Sequence, residues 1–166
     1  MKLFAIYIGG EHPAANIEVH DVRFVVARSI KDTRDALLKT WWGKPGTLHI
    51  DCWAEIDHVD GYDVALKPEP TKGREKLYFV NLGGYDGKGF AEQHKNMFVV
   101  TTSIADAKAL ALATIADWKD PHRDDLYEAE RAFALDGMIG DRLHIHLTRS
   151  EIVRPPQFVC QYMPLR

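Results

Sequence analysis

Cysteine, long hydrophobic runs and clustered positive charge are all scarce in this chain of 166 residues. The two cysteines, Cys52 and Cys160, have no CxxC spacing, which disfavours a disulfide framework and favours a reducing, cytoplasmic location. Both are expected to be small, buried apolar side chains. No run of 18 apolar residues occurs, so no membrane partner is expected, and the short apolar N-terminus predicts a strand rather than a signal peptide.

The charge balance is slightly acidic, with a formal net charge of -3, and the basic residues are scattered. A nucleic-acid partner is therefore not expected, because such surfaces use clustered Lys and Arg to neutralise phosphates. Hydrophobic residues make up 46% and charged residues 27% of the chain, proportions that are typical of globular proteins rather than disordered or fibrous ones. The length suits one domain or two small fused halves.

One stretch of the sequence occurs twice. "EVHDVRFVVARSIKDT" (residues 18–33) returns as "EQHKNMFVVTTSIADA" (residues 92–107), a shift of 74 residues (92 minus 18). The same shift aligns residues 3–38 with residues 77–112 without a gap, and 12 of the 36 positions are identical. This similarity indicates an internal duplication.

Each copy begins with an apolar run that ends in Gly-Gly and is followed by Glu-x-His and a second apolar run. The apolar runs predict strands. Gly9-Gly10 and Gly83-Gly84 match no nucleotide-binding motif, and they predict tight turns.

A helix is predicted after the second strand of each copy. Ser29 and Ser103, each with an aspartate three residues later, predict capping-box helix starts. The helices are expected from Ile30 to about Trp42 and from Ile104 to about Trp118, each with one apolar stripe. The stripes consist of Ile30, Thr33, Leu37 and Trp41 in the first helix and of Ile104, Ala107, Ala111, Ile115 and Trp118 in the second.

The segment after the first helix, "TLHIDCWAEID", alternates in polarity and predicts a half-exposed strand. Its polar face would carry His49, Asp51, Trp53 and Glu55, and its apolar face Ile50, Cys52, Ala54 and Ile56. Asp60-Gly61 predicts a hairpin, and "RLHIHL" (residues 142–147) predicts another strand. "DLYEAERAFALDG" (residues 125–137) has helical composition, but its place in the second copy favours a strand.

We therefore predict an α+β fold of two β-β-α-β-β repeats that pack about a pseudo-twofold axis as a single domain. The sheet is expected to be largely antiparallel, with helices on one face. The predicted divisions are the first repeat over residues 1–66, a linker rich in proline and charge over 67–76, the second repeat over 77–149, and an extended C-terminal arm over 150–166.

The pattern "GG…ExHDVRFVVxxSIxDT", followed by "LHIDCWAEIDxVDGY" and "LYFVNLGGYDxxxFxExH", resembles a small bacterial family called domain of unknown function 1543. The resemblance covers most of residues 3–112 and includes the duplication. It implies a bacterial protein, and it implies no activity because none is assigned to the family.

Two Glu-x-His pairs occupy matching places in the two copies, Glu18 with His20 and Glu92 with His94. Residues two apart in an extended segment point the same way, so each pair can orient an imidazole for proton transfer or metal binding. The structural alternative is that each pair holds the end of its strand in place. If the copies pack symmetrically, His20 and His94 would lie in related positions near the axis.

Two further strand segments carry histidine beside a second ligand type. His49-x-Asp51 and His144-x-His146 present alternate residues on one strand face, and imidazole with carboxylate suits zinc, iron or manganese. The alternative is a solvated polar face. Trp53, on the same predicted face as His49 and Asp51, favours a ligand cleft or an interface. The candidate ligands of a divalent metal are His20, His49, Asp51, His94, His144 and His146.

These features lead to two hypotheses. The first is a non-enzymatic binding or regulatory module for a small molecule or another protein, since no catalytic motif such as GxSxG is present. The second is a metal-assisted hydrolase, in which two or three histidines join Asp51 at a metal while a glutamate acts as base. Either could be a homo-oligomer. The ligand-binding candidates are Glu18, His20, His49, Asp51, Trp53, Glu92 and His94.

Overall fold

The computed structural model describes residues 1–85, 89–115, 120–121, 131–140 and 142–165, and antiparallel strands dominate it. The strands are β1 (Lys2–Gly10), β2 (Val19–Ala27), β3 (His49–Glu55), β4 (His58–Val59), β5 (Tyr62–Lys67), β6 (Lys76–Tyr85), β7 (Gln93–Thr101), β8 (Asp120–Pro121), β9 (Ala132–Ala134), β10 (His144–Arg149) and β11 (Phe158–Pro164). The helices are α1 (Arg34–Thr40) and α2 (Ile104–Ala113). The predicted α+β class is confirmed. Within the described residues, no helix has the length and apolar character needed to cross a membrane.

Over the described ranges, the strands form three sheets. Sheet A has the order β11-β3-β1-β2, and sheet B has the order β10-β5-β4. Sheet C pairs β7 with β6, and β6 also pairs with β8 and β9. The first two strands of sheets A and C have matching registers, since Gly9 lies opposite His20 and Gly83 lies opposite His94.

The hydrophobic core has three parts because side chains alternate between the two faces of β1 and β6. Residues with odd numbers, such as Leu3 and Leu77, enter a core between the sheets, which we call the intersheet core. The other face of sheet A packs on α1 through Phe4, Ile6, Ile8, Ala27, Leu37, Leu48, Ile50 and Leu165. The other face of sheet C packs on α2 through Tyr78, Val80, Leu82, Val99, Ala107, Ala111 and Ile115.

The predicted tight turns at the Gly-Gly pairs are wrong. Gly9 and Gly10 end β1, and Gly83 and Gly84 lie within β6. Close approach, not turn geometry, explains why glycine is present. A Cβ on Gly10, for example, would lie only 2.6 Å from Cζ2 of Trp41, which packs over the end of β1.

The start of the first helix differs from the prediction. Ile30–Thr33 forms a 3₁₀ turn that leads into α1, which ends at Thr40. Thr33 and Leu37 are buried, as the predicted stripe requires. The Ser29 side chain makes no capping bond to a backbone amide, and its hydroxyl contacts Asp32 Oδ2 at 2.9 Å. The predicted cap at Ser29 is therefore wrong, because the chain enters a 3₁₀ turn instead of an α-helical first turn.

Helix α2 has the predicted cap. Ser103 Oγ accepts a hydrogen bond from the Asp106 amide at 3.1 Å, and its hydroxyl contacts the Asp106 carboxylate at 2.6 Å. The predicted stripe is buried at Ala107, Ala111 and Ile115. Ile104 is exposed, contrary to the prediction, because it is the first residue of the helix. The predicted helix end near Trp118 lies outside the described residues.

The predicted strict alternation of β3 is interrupted by a β-bulge. Tyr7 pairs with Cys52, whereas the next residue, Ile8, pairs with Ile50. Asp51 is therefore the extra residue on the bulged strand. The bulge exchanges the faces on which even- and odd-numbered side chains of β3 lie. Ile50 therefore belongs to the core beside α1, while later even-numbered residues of the strand enter the intersheet core.

Asp60-Gly61 forms the predicted hairpin between β4 and β5. Both residues have positive φ, 51° and 76°, as a type I′ turn requires. The strand expected over residues 125–137 is described only in part. Ala132–Ala134 forms β9 and Leu135–Met138 a 3₁₀ turn, and residues 125–130 lie outside the described residues.

The expectation that both cysteines are buried is wrong. Cys160 is exposed and Cys52 is half-buried. The reason is topological, since β11 pairs with β3 at the edge of sheet A and presents much of its surface to solvent.

Candidate functional site

Four polar side chains converge where β2 begins and β3 runs beside β1. His20 Nε2 lies 3.6 Å from Glu18 Oε2 and 3.6 Å from Asp51 Oδ2. His49 Nε2 lies 3.0 Å from Glu18 Oε1 and 3.3 Å from Asp51 Oδ1. Each imidazole therefore faces both carboxylates. We call these four residues the His-carboxylate cluster.

Gly9 provides the space for this cluster. It lies on the central strand, opposite His20 on one side and opposite His49 on the other. A Cβ at this position would lie 2.8 Å from His49 Nε2, 2.9 Å from His20 Cδ2 and 3.0 Å from Asp51 Oδ2. These separations are shorter than van der Waals contact, so the cluster needs glycine here.

His49 is buried, contrary to the predicted half-exposed face, with a residue exposure of only 4%. Its Nδ1 lies 3.1 Å from the Thr47 carbonyl oxygen, and its ring packs against Tyr162 of β11 with centroids 4.7 Å apart. His49 is therefore held between the backbone of Thr47, Tyr162 and the two carboxylates.

His20 is stacked on Tyr7, with ring centroids 5.4 Å apart and planes inclined by 8°. Burial raises the pKa of the Tyr7 phenol above its ordinary value, and the negative charges of Asp51 and Asp21 raise it further. Tyr7 is thus a hydrogen-bond donor at neutral pH. Asp51 Oδ2 is buried and has no hydrogen-bond partner among the described residues.

The second Glu-x-His pair is more open. His94 Nε2 lies 3.6 Å from Glu92 Oε2, the separation also found between His20 and Glu18. The His94 side chain is 54% exposed, compared with 37% for His20. The two repeated motifs thus have similar internal geometry in different surroundings.

His20 and His94 border one cavity between sheets A and C. Its volume is about 260 Å³, and it adjoins a second cavity of about 320 Å³. These volumes are near the lower end of the range for small-molecule sites. We call the two cavities together the intersheet cleft. The residues that border both are Tyr7, Val22, Phe79, His94 and Asn96.

The floor of the intersheet cleft is aromatic. Four phenylalanine rings pack there in edge or tilted orientations, with contacting centroids between 5.1 and 6.4 Å apart. They are Phe24, Phe79, Phe98 and Phe133. A planar apolar group entering the cleft would therefore meet ring faces and edges.

Polar groups line the rest of the cleft. Asn81 Nδ2 donates to Asn96 Oδ1 at 2.7 Å, which leaves one amide nitrogen and one carbonyl oxygen of this pair for other partners. Asp21 forms an ion pair with Arg23. Arg131 also borders the cavity, so the cleft lining has both hydrogen-bonding groups and a positive charge.

The structure brings only some of the predicted site residues together. Glu18, His20, His49 and Asp51 form the His-carboxylate cluster, and His94 joins His20 at the intersheet cleft. Trp53 does not share their face, because the bulge turns it toward the core beside α1, although it borders the larger cavity.

The remaining metal candidates lie elsewhere. His144 and His146 are on β10 of sheet B, and His146 Nε2 lies 2.7 Å from the Glu69 carbonyl oxygen. Across the part of the chain that the structure describes, no group of three or more His, Cys, Asp or Glu side chains is placed to hold a metal ion. As it stands, the His-carboxylate cluster does not surround a common point at the distance of about 2.0–2.2 Å that zinc requires.

Sequence reasoning missed several cleft residues. Tyr7 and Asn81 are equivalent under the shift of 74 residues, and each follows the buried odd-numbered residues of its strand. A polar side chain after the buried residues of both strands could have indicated that the two strands share a polar edge of the cleft. No pattern in the sequence pointed to Arg131.

Comparison with known proteins gives a family and a structural relative. The family described as Domain of Unknown Function (DUF1543) matches residues 15–66. The crystal structure of a protein Il1583 from Idiomarina loihiensis is similar, with 32% sequence identity, a TM-score of 0.73, and coverage of 99% of this chain and 98% of that chain. No curated protein matches. The chain therefore belongs to the family described as Domain of Unknown Function (DUF1543).

Proposed function

We propose that the protein is a non-enzymatic binding module that holds a small, planar, anionic organic molecule in the intersheet cleft. The observation that carries this proposal is the position of His20 and His94 at one cavity above an aromatic floor. Sites for small molecules are commonly apolar cavities in which a few polar groups fix the orientation of the ligand.

The apolar lining favours a planar ligand body. Phe24 and Phe79 pack edge to face with centroids 5.1 Å apart, and Val22 borders both cavities. Aromatic rings in this arrangement stabilise a further ring by stacking and edge contacts. The volumes of about 260 and 320 Å³ suit a molecule of one or two rings.

The charge distribution favours an anionic head group. Arg131 brings a permanent positive charge to the lining, and the carboxylate of Asp21 is paired with Arg23. The imidazole of His94 and the amide nitrogen of Asn96, which has no partner among the described residues, are further donors for a carboxylate or similar group.

The His-carboxylate cluster would act as the support of this site. Its carboxylates lie 3.6 Å from His20 Nε2, and Tyr7 stacks on the ring. A side chain held on two sides loses little conformational freedom when a ligand binds, and such preorganisation increases affinity.

The cleft has a natural origin in the proposed duplication, in which residues 1–66 and 77–149 are the copies and residues 67–76 join them. The matching registers of β1 with β2 and of β6 with β7 support this proposal. So do α1 and α2, which cover the faces of sheets A and C opposite the intersheet core. A pseudo-twofold axis between the sheets would place His20 and His94 in related positions. A bacterial source and a cytoplasmic location remain predictions.

Three one-ring probes that differ in charge test the proposed function. Saturation-transfer NMR would compare benzoate, benzamide and benzylamine on the full chain. Benzoate is expected to bind with a Kd of roughly 1–10 mM, as the small size of the probe allows, and benzylamine is expected not to bind. The proposal fails if none of the probes receives magnetisation, or if benzylamine binds better than benzoate.

Matched variants locate the binding. His20→Ala with His94→Ala, and separately Arg131→Gln, should weaken benzoate binding at least about fivefold, because each removes a donor from the lining. His144→Ala with His146→Ala is the control, since both residues lie on sheet B. Equal benzoate binding by all these proteins would place the ligand outside the intersheet cleft. Thermal melting of each variant would show that it is folded.

The metal-assisted hydrolase is a second candidate, and the convergence of His20, His49, Glu18 and Asp51 favours it. Movement of these side chains toward a common point would be needed, since no such point exists in the described arrangement. Elemental analysis of protein purified without chelator, before and after addition of zinc or manganese, tests this candidate. Stoichiometric metal that is lost in His20→Ala with His49→Ala would support it, and absence of metal from both proteins would remove it.

A further inference from the structure

The two cysteines of the chain lie directly against each other on neighbouring strands. Cys160 of β11 pairs with Cys52 of β3, and their Sγ atoms are 2.7 Å apart. Both are free thiols in this structure. The contact joins residues separated by 108 positions in the sequence.

The strand register suits a covalent bond between these cysteines. Directly opposite residues of an antiparallel pair have Cα atoms about 4.5–5.5 Å apart, and disulfides span Cα separations of about 4.4–6.8 Å. The register between β3 and β11 changes only after Cys160. The bond can therefore form without moving either strand.

We propose that Cys52 and Cys160 form a reversible disulfide that fixes β11 to β3 when the protein meets a low-molecular-weight disulfide such as oxidised glutathione. First, the Cys160 thiolate attacks the small disulfide, which forms a mixed disulfide and releases one small thiol. The Cys52 thiol then loses its proton and attacks Cys160 Sγ, which releases the second small thiol. Two protein thiols are oxidised, and one small disulfide is reduced to two thiols.

The surroundings of the two thiols set this order. Cys160 is exposed and is reached first by an oxidant, whereas Cys52 is half-buried beside the larger cavity. Burial raises the pKa of Cys52 to about 11, and the contact with Cys160 contributes to the shift. Since the thiolate is the nucleophile, Cys52 reacts slowly with external reagents but is well placed as the resolving thiol.

The disulfide would link the C-terminal strand covalently to sheet A. Among the described strands, β11 lies at the edge of sheet A beside β3, and residues 151–155 before it are exposed. Phe158, two positions before Cys160, borders the larger cavity. Oxidation therefore changes how firmly one wall of the intersheet cleft is held. The inference does not depend on the proposed function, because it concerns the thiols themselves.

Treatment of the purified full chain with oxidised glutathione tests the inference. Free-thiol titration is expected to fall from two thiols to none, and the intact mass is expected to fall by about 2 Da without a glutathione adduct. Peptide mapping under non-reducing conditions should find Cys52 joined to Cys160. Thermal melting should shift upward by about 5 °C or more, because the bond closes a long loop, and dithiothreitol should reverse the shift.

Cys160→Ser and Cys52→Ser are the matched controls. With oxidised glutathione, Cys160→Ser should keep its thiol far longer than Cys52→Ser, and neither should show the upward shift in melting. A persistent glutathione adduct on the wild-type chain, disulfide-linked dimers, or an intramolecular disulfide that leaves melting unchanged would overturn the inference. The wild-type mass and peptide map decide the matter even if a variant fails to fold.

Discussion

The substitution Gly9→Ala tests whether the His-carboxylate cluster is packed against the backbone of β1. The added methyl would lie 2.8–3.0 Å from atoms of His49, His20 and Asp51. His49 cannot readily move, because its side chain is 5% exposed and its ring is held by Thr47. Overpacking of this kind costs about 1–3 kcal/mol.

A smaller term opposes this cost. Alanine restricts the unfolded chain more than glycine does, and this stabilises the folded state by about 0.4–1 kcal/mol where the backbone conformation is permitted. Gly9 lies in a regular strand without positive φ. The net expectation is a loss of about 1–2 kcal/mol in the free energy of unfolding, and a fall in Tm of about 2–8 °C.

Gly83→Ala is the matched control. Gly83 lies opposite His94 as Gly9 lies opposite His20, so the change in the unfolded chain is the same. The nearest neighbour of its new methyl is Glu92 Oε1, at 2.6 Å, and the end of a glutamate side chain can swing aside. We expect a change within about 0.5 kcal/mol. Urea denaturation of both variants measures the difference, and equal destabilisation, or a more stable Gly9→Ala, would refute the reasoning.

Two other predictions concern the cap of α2 and the pKa of Tyr7. Ser103→Ala should lower the free energy of unfolding by about 1 kcal/mol, whereas Ser29→Ala, which loses no backbone cap, should lower it less in the same urea experiment. The raised pKa of Tyr7 means that the folded state holds the phenolic proton more tightly than the unfolded state does. The protonated phenol therefore contributes to the free energy of unfolding, and this contribution is lost as pH rises above about 10. The difference in ultraviolet absorbance between the wild type and Tyr7→Phe, followed against pH, should therefore show ionisation at a higher pH than free tyrosine. A titration curve that coincides with that of free tyrosine would contradict the raised pKa.

The sequence could predict local structure wherever a pattern among neighbouring residues determined it. The apolar run that ends in Gly-Gly identified β1, and the stripe through Thr33 and Leu37 identified the buried face of α1. The Asp60-Gly61 dipeptide identified a hairpin because few residues accept positive φ. These features depend on neighbours in the chain, and such information is present in a short window of sequence.

The assembly of the candidate site could be predicted only in part, because it depends on strand neighbours and on one bulge. Spacing placed Glu18 beside His20, but nothing local showed that β3 would lie on the other side of β1. Strict alternation then grouped Trp53 with Asp51, whereas the bulge separates them. A single extra residue reverses which side chains share a face, and no composition or spacing in β3 marks it.

The repeated Glu-x-His motif has the same internal geometry in two different surroundings. His20 is stacked on Tyr7 and faces Asp51, whereas the residue equivalent to Tyr7 is Asn81, which bonds Asn96. One side of the intersheet cleft therefore presents an aromatic ring and a supported imidazole, and the other presents an amide pair. A twofold-symmetric ligand would leave one of these sides with unsuitable partners. If the intersheet cleft binds a small molecule as proposed, this unequal lining would favour a molecule with two different ends, bound in one orientation.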